Sequence, residues 1–360
     1  MTGWGYSLGS FCRVMLGFAG AVLLLASPAQ ARVSGPCVDC HTMHYSQGGG
    51  VLSEWGDAGP YESLLTIDCL GCHTGVNVAE GKTPFVFSAT AAPEYKATGT
   101  ETDSNTLAGG NFYWVSAVES NRGHNVPGVG AADPLMTPPG FTGASQAADG
   151  SKPGGGTWPS GQRVTCAGTY GCHGTHAASS MTTAVKGGHH LGVSGAIETP
   201  GEMPAGGYRM LVGIAGFEDS DWEFQPITSE HNQYYGDTDK GNDTIGSLCG
   251  RCHGNFHSAT NSSSPWIRHP VDYDMSSTAA GSEYRDYGGA GINAYVLAAP
   301  VASTNVTAVK STVNISTAGD AIVTCISCHR AHGSPYYKLL RWDYAGSIST
   351  GCAYCHTSKD

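Results

Sequence analysis

Residues 325–332 read CISCHRAH. Two cysteines stand two residues apart, a histidine follows the second at once, and another histidine comes three residues later. Related text recurs as CVDCHTMH (37–44), CLGCH (69–73), CAGTYGCHGTH (166–176), CGRCHGNFH (249–257) and CAYCH (352–356). The copies use all but one of the 13 cysteines, and each contains an adjacent Cys-His pair. The remaining cysteine, Cys12, lies near the N-terminus outside the pattern. So regular a repeat points to a ligand that needs two thiols and an imidazole at fixed spacing.

Three chemistries compete for such a pattern. Disulfides suit an exported, cysteine-rich chain, but they leave the histidine behind each second cysteine unexplained. Zinc uses Cys-x-x-Cys as a half-site, but an adjacent Cys-His does not readily close on one ion. Covalent c-type haem accounts for the whole motif, since C-x-x-C-H is its attachment signal. The thiols add to the two vinyl groups of one porphyrin, and the next residue turns its imidazole to the iron. This reading predicts six covalent c-type haems. Their thioether residues are Cys37, Cys40, Cys69, Cys72, Cys166, Cys172, Cys249, Cys252, Cys325, Cys328, Cys352 and Cys355. Their proximal ligands are His41, His73, His173, His253, His329 and His356. The third site departs from the rest, with five residues between its cysteines. Gly168 and Gly171 let the backbone bulge there, and the spacing leaves open one thioether or two.

Haem also resolves a difficulty of composition. The chain has 360 residues, 52 of them glycine, and only 13% are charged. Leu and Phe are scarce, so side chains alone cannot fill a large core. Porphyrins supply the missing apolar mass. The expected fold is mostly irregular, with few short helices and a small β-hairpin, the chain wrapping a stack of six haems. The net charge of −11 argues against nucleic acid or an anionic membrane as a partner.

Nine histidines remain for the second axial position. His44, His176, His257 and His332 follow their motifs by three or four residues, too close to reach the far face of their own haem but able to reach a neighbour's. His124 and His269 sit in turn-like, proline-containing text. His189, His190 and His231 have no distinguishing context. Each of the nine has the plainer reading of a surface or propionate-bonding histidine. If six serve as ligands, every iron is six-coordinate, which suits electron transfer over substrate activation.

Residues 1–31 read as a secretory signal peptide, with Arg13, an apolar stretch and AQA at 29–31; a retained N-terminal anchor is the other reading. Residues 32–360 then form a single multihaem domain. Its motifs lie in 37–176 and 249–356, on short helices, around a loop-rich insertion at 177–245 with one short helix near Met210. Residues 130–162, rich in Pro, Gly and Ser, read as a surface loop. Residues 295–324 alternate enough for a strand pair.

Several stretches resemble the multihaem cytochromes that polymerise into extracellular conductive filaments. They are CVDCHTMHYSQGG, FYWVSAVESNRGHNV with His124, SLCGRCHGNFHSA followed by IRHP, VTCISCHRAHGS, and CAYCHTSKD. The resemblance implies bis-histidine haems in a continuous chain and subunits joined end to end, with His44 completing a haem in the next subunit. It implies as partners other copies of the chain, upstream periplasmic or outer-membrane cytochromes, and extracellular electron acceptors. Two features depart from the family pattern: the C-x5-C-H spacing, and the stretch 177–245.

The leading function is therefore an exported electron conduit at the cell surface or beyond, and not an enzyme. A soluble periplasmic carrier is the alternative. A reductase ranks lower, because no C-x-x-C-K motif is present and spare histidines are plentiful.

Overall fold

A computed structural model describes residues 1–2, 41, 46–47, 50–51, 65, 68–81, 83–94, 105–117, 120–130, 137–142, 152–185, 208, 210–237, 239, 241–257, 270–279, 282, 286–287, 292–346 and 351–356. The chain divides into two compact units, Met1–Ser34 and Gly35–Asp360. Of the first, only Met1 and Thr2 are described, so the expected signal peptide lies outside the described residues. The rest of this description concerns the second unit.

Most of its backbone is irregular, as a glycine-rich sequence dictates. Helices are single turns, and several coincide with attachment motifs. Cys69–His73 is one such turn, begun by Asp68, whose carboxylate accepts from the Leu70 amide at 3.0 Å. Ile245–Gly250 is another, begun by Thr244, whose hydroxyl accepts from the Ser247 amide at 3.0 Å. Thr324 and Ser327 form a capping box over the 3-10 turn Cys325–Ser327. Asp and Thr just upstream thus start these turns by satisfying amides that a short helix leaves exposed. The motif at 166–173 contains no helix.

The β-structure is richer than one hairpin. Strands β1 (Ser46–Gln47) and β2 (Gly50–Val51) pair with each other. Next come β3 (Gly216–Phe217), β4 (Gln233–Tyr235), β5 (Tyr273–Asp274), β6 (Ile292–Ala294), β7 (Ala302–Ser303), β8 (Thr312–Asn314) and β9 (Ile322–Val323). The expected strand pair within 295–324 is replaced by two arrangements. β6 pairs antiparallel with β8, beginning just before that stretch. β7 and β9 join a five-stranded sheet ordered β3-β4-β7-β9-β5, in which β4 and β7 run parallel.

Two expectations for the rest of the chain also change. Within 177–245, Gly216–Phe217 and Gln233–Tyr235 form β3 and β4, so this part of the expected insertion is built into the sheet. Tyr208, Ile214, Tyr234 and Ile245 from this stretch pack in one apolar cluster with Ala302, Ile322 and Ile326. No helix forms at Met210, which takes the left-handed conformation (φ 64°) in a turn. In the proline-rich stretch, Trp158 is buried and meets Phe141 and Tyr170 edge-on, with ring centroids 5.6 and 5.2 Å away. An indole of this size gains more from burial than a loop composition reveals.

Among the described residues three apolar clusters form the core, and each has at least one attachment cysteine at its edge. Leu70, Phe87, Phe112, Val115, Val126 and Val129 hold Cys166. The Tyr208–Tyr234 cluster holds Cys172. A third, around Met275, Tyr287, Tyr295 and Trp342, holds Cys328 and Cys355.

The loop after β3 carries a buried acid. Burial, then the neighbouring carboxylate of Asp221, pushes Asp219 up to about 7. A carboxyl whose folded pKa exceeds its unfolded value binds more protons when folded. Its contribution to stability is full below the ordinary carboxylate range and is lost as pH rises towards about 7. Thermal midpoints measured between about pH 4 and 8 should therefore show Asp219→Asn gaining on the wild type as pH rises. Parallel curves would overturn this reading.

Candidate haem site

Four of the motifs, those beginning at Cys166, Cys249, Cys325 and Cys352, are tight turns closed on the carbonyl of the leading cysteine. Cys249 O accepts from the amides of Cys252 and His253, at 3.2 and 2.9 Å. Cys325 O accepts from Cys328 and His329 at 3.3 and 3.0 Å, and Cys352 O from Cys355 and His356 at 3.1 and 2.9 Å. The turns also meet one another. The thiols of Cys69 and Cys166 are in hydrogen-bond contact, and so are those of Cys249 and Cys325. In both pairs the leading cysteine of one motif touches the leading cysteine of the next.

The imidazoles are oriented by main-chain carbonyls. Nδ1 of His73 donates to Pro84 O, that of His253 to Pro139 O and that of His329 to Lys338 O, each at 2.8 Å. Nδ1 of His124 donates to Ala331 O at 2.6 Å. A proton held on Nδ1 leaves the Nε2 lone pair free, the arrangement that second-shell carbonyls impose on metal-binding histidine. Burial lowers the pKa of His73 and His124. It brings His253 down to about 4 and His332 to about 3, with neighbouring imidazoles adding to the effect. These rings are therefore neutral at pH 7, as a nitrogen ligand must be.

Two pairs of rings face each other across similar gaps. His124 and His253 have centroids 6.2 Å apart, inclined by 38°. His173 and His332 have centroids 6.2 Å apart, inclined by 39°. A metal ion about 2 Å from each of two ring nitrogens, with about 1 Å more from nitrogen to centroid, separates centroids by roughly 6 Å. The donor set thus fits an iron between two imidazoles, and the chain's residues fit a c-type haem. The ten described attachment cysteines form no disulfide. Burial pushes Cys172 up to about 11 and Cys252, Cys328 and Cys355 up to about 12. At neutral pH they are thiols, the form that adds to a vinyl group. Among the described residues no three or more Cys, His, Asp or Glu side chains converge on a metal position.

The other predicted residues fall into distinct settings. His41 bridges to Leu65. His176 is buried, with Nε2 3.4 Å from Cys172 O. His257 directs Nε2 at Asp272 Oδ2, 2.8 Å away, with both side chains buried. His231 is fully buried and stacked 4.0 Å from the Tyr295 ring, and both its nitrogens face carbonyls, Asn232 O at 2.7 Å and Lys310 O at 3.2 Å. Cys37, Cys40, His44, His189, His190 and His269 lie outside the described residues. Sequence reasoning missed Gly109, on which a Cβ would stand 2.7 Å from His332 Nδ1. It also missed the carbonyls that orient the rings, which no side-chain pattern can reveal.

The repeated Cys-x-x-Cys-His turns and the facing imidazoles are those of a multihaem c-type cytochrome, a class of electron-transfer proteins. Residues 317–360 match the model of the doubled CXXCH motif family. The chain is similar to C-type cytochrome OmcS of Geobacter sulfurreducens, with 26% identity over 401 aligned positions, covering 94% of this chain and 86% of that protein. Solved structures described as the Outer Membrane Cytochrome S filament and the OmcS nanowires, both from Geobacter sulfurreducens, align at 20% identity. The first covers 87% of this chain and 84% of its own, with a TM-score of 0.44. The second covers 86% and 84%, with a TM-score of 0.39.

His257→Ala should leave the Asp272 carboxylate buried with Thr244, which donates to Oδ2 at 3.1 Å, as its remaining hydroxyl partner. Leaving a buried acceptor without one of its hydrogen-bond partners costs about 1–3 kcal/mol. Denaturant unfolding of the haem-loaded protein is expected to show that cost. A change below about 1 kcal/mol, the usual ceiling for an exposed pair, would refute it.

Proposed function

We propose that this chain carries six covalent c-type haems and passes electrons through them as an exported conduit, assembled from copies of itself into an extracellular filament. It acts as a carrier and not as an enzyme. The twelve motif cysteines form the thioethers, and His41, His73, His173, His253, His329 and His356 are the proximal ligands. His124 completes the haem of His253, and His332 completes that of His173. The observation that carries this reading is the pair of 6.2 Å imidazole gaps. In each, a histidine from one part of the sequence meets the proximal histidine of a motif in another part. In the second gap, a histidine that follows the fifth motif meets the proximal histidine of the third, and such ligation across motifs draws neighbouring haems together, which is what electron transfer along a chain requires.

The filament rests on similarity to OmcS over most of the chain and on the match of CVDCHTMH, which nominates His44 as the ligand given to the next subunit. Its electrons would come from periplasmic or outer-membrane cytochromes and go to acceptors outside the cell.

Two experiments test this. His124→Ala and His332→Ala should each convert one haem to high spin, seen by low-temperature electron paramagnetic resonance, whereas His231→Phe should leave every haem low-spin. Unchanged spectra for the first two would break the pairing. Cryo-electron microscopy of haem-staining material sheared from cells should show filaments with continuous haem density, absent in His44→Ala. Discrete particles, or protein confined to the periplasm, would favour a soluble carrier instead.

A further inference from the structure

The third motif departs from the attachment signal by three residues, yet its backbone does not. Cys166 O accepts from the amides of Cys172 and His173 at 3.2 and 3.0 Å. These are the two hydrogen bonds that close the turns at Cys249, Cys325 and Cys352. The extra residues leave the turn as a small side loop. Gly168 sits at φ 85°, and its amide donates to His173 O at 3.0 Å while Ala167 and His173 form a bridge. The loop is pinched at its neck, so Cys172 and His173 return to where a two-residue spacer would put them.

Two independent contacts assign the same roles. Cys166 touches Cys69 as Cys325 touches Cys249, one leading cysteine against another. His173 faces His332 at the same 6.2 Å that separates His253 from His124. The loop is also held from outside. Arg251, fully buried between the cysteines of the fourth motif, donates Nη1 to Gly171 O at 2.6 Å and Nη2 to Thr169 O at 3.0 Å. Thr169 N donates to Ala178 O at 2.9 Å. Both grips fall on the side loop and its neck, which keeps the excursion from spreading the two cysteines.

We infer that Cys166 and Cys172 both form thioethers to a single haem whose proximal ligand is His173, with Gly168–Tyr170 an extruded loop that Arg251 locks to the fourth motif. This rests on the haem reading proposed above and settles the question that the spacing left open. Each thioether forms when an S–H adds across a vinyl C=C. Sulfur bonds to one carbon and hydrogen to the other, and no electrons are gained or lost, so both sulfurs must arrive as thiols.

The test is thiol alkylation and mass spectrometry on the haem-loaded protein. The chain is denatured, treated with iodoacetamide and digested. The peptide spanning 166–173 should carry one haem and no alkyl group. One alkylated cysteine would show a single thioether and overturn the inference, and so would two with no haem. If the other motif peptides also lack haem, the broader reading fails instead, so the two failures are distinct. A variant supplies a second, independent readout. Deleting Gly168–Tyr170 restores C-x-x-C-H, and it should leave the number of haems per chain unchanged. A gain of one haem over the wild type would mean that the natural third site is not loaded.

Discussion

A single carbonyl oxygen organises the attachment turns at Cys166, Cys249, Cys325 and Cys352. The leading cysteine's C=O accepts from the amide of the second cysteine and from that of the histidine, which fixes two sulfurs and one imidazole relative to one another before any cofactor is considered. Two bonds to one acceptor tolerate variation in the residues between, because those residues take no part in them. That is why a five-residue spacer at Cys166–Cys172 keeps the geometry of a two-residue spacer. The histidine ring then needs only one further constraint, its Nδ1 proton on a nearby carbonyl, and proline and lysine carbonyls on separate loops supply it.

The remainder of the chain holds these turns in contact with little regular structure. Three buried arginines do much of what longer strands do elsewhere. Arg251 spans to Gly171 and Thr169, Arg330 donates to Leu107 O and Ala108 O at 3.2 and 2.9 Å, and Arg341 donates to Ile326 O at 2.7 Å. A guanidinium offers five donors in a fixed plane, so it can satisfy loop carbonyls that would otherwise be buried without partners. Glycine permits the close approaches. Gly110, at φ 84°, lies against Gly333, where a Cβ would come within 2.0 Å of the Gly333 carbonyl. That contact brings the Leu107–Gly110 segment beside the fifth motif and seats His332 against Phe112, 4.9 Å away.

Cofactor class was legible from spacing alone, because a porphyrin needs two sulfurs and an imidazole within one turn and that demand is local. The scarcity of regular structure followed equally from glycine content. The sheet was less legible. β3, β4, β7, β9 and β5 are two or three residues long, too short for an alternation to register, and they pair across long separations. Residues 177–245 therefore read as an insertion although Tyr208 and Tyr234 stack in the core, with centroids 5.8 Å apart.

The histidines mark the boundary between what sequence and structure each decide. Which histidines follow a cysteine is a property of the chain, so the proximal set could be nominated at once. Which histidine stands opposite is a property of loops folded against one another. His176, His257 and His332 follow their motifs at almost the same distance. Yet one ring lies by Cys172 O, one is bound to Asp272, and His332 faces another motif's imidazole. His231 looked equivalent to other spare histidines until its stacking on Tyr295 and its two carbonyl neighbours separated it. Local covalent demand wrote the attachment turns into the sequence. Long-range packing chose the partners across each gap, because a side chain three residues from a motif can face several ways and only the surrounding loops select one.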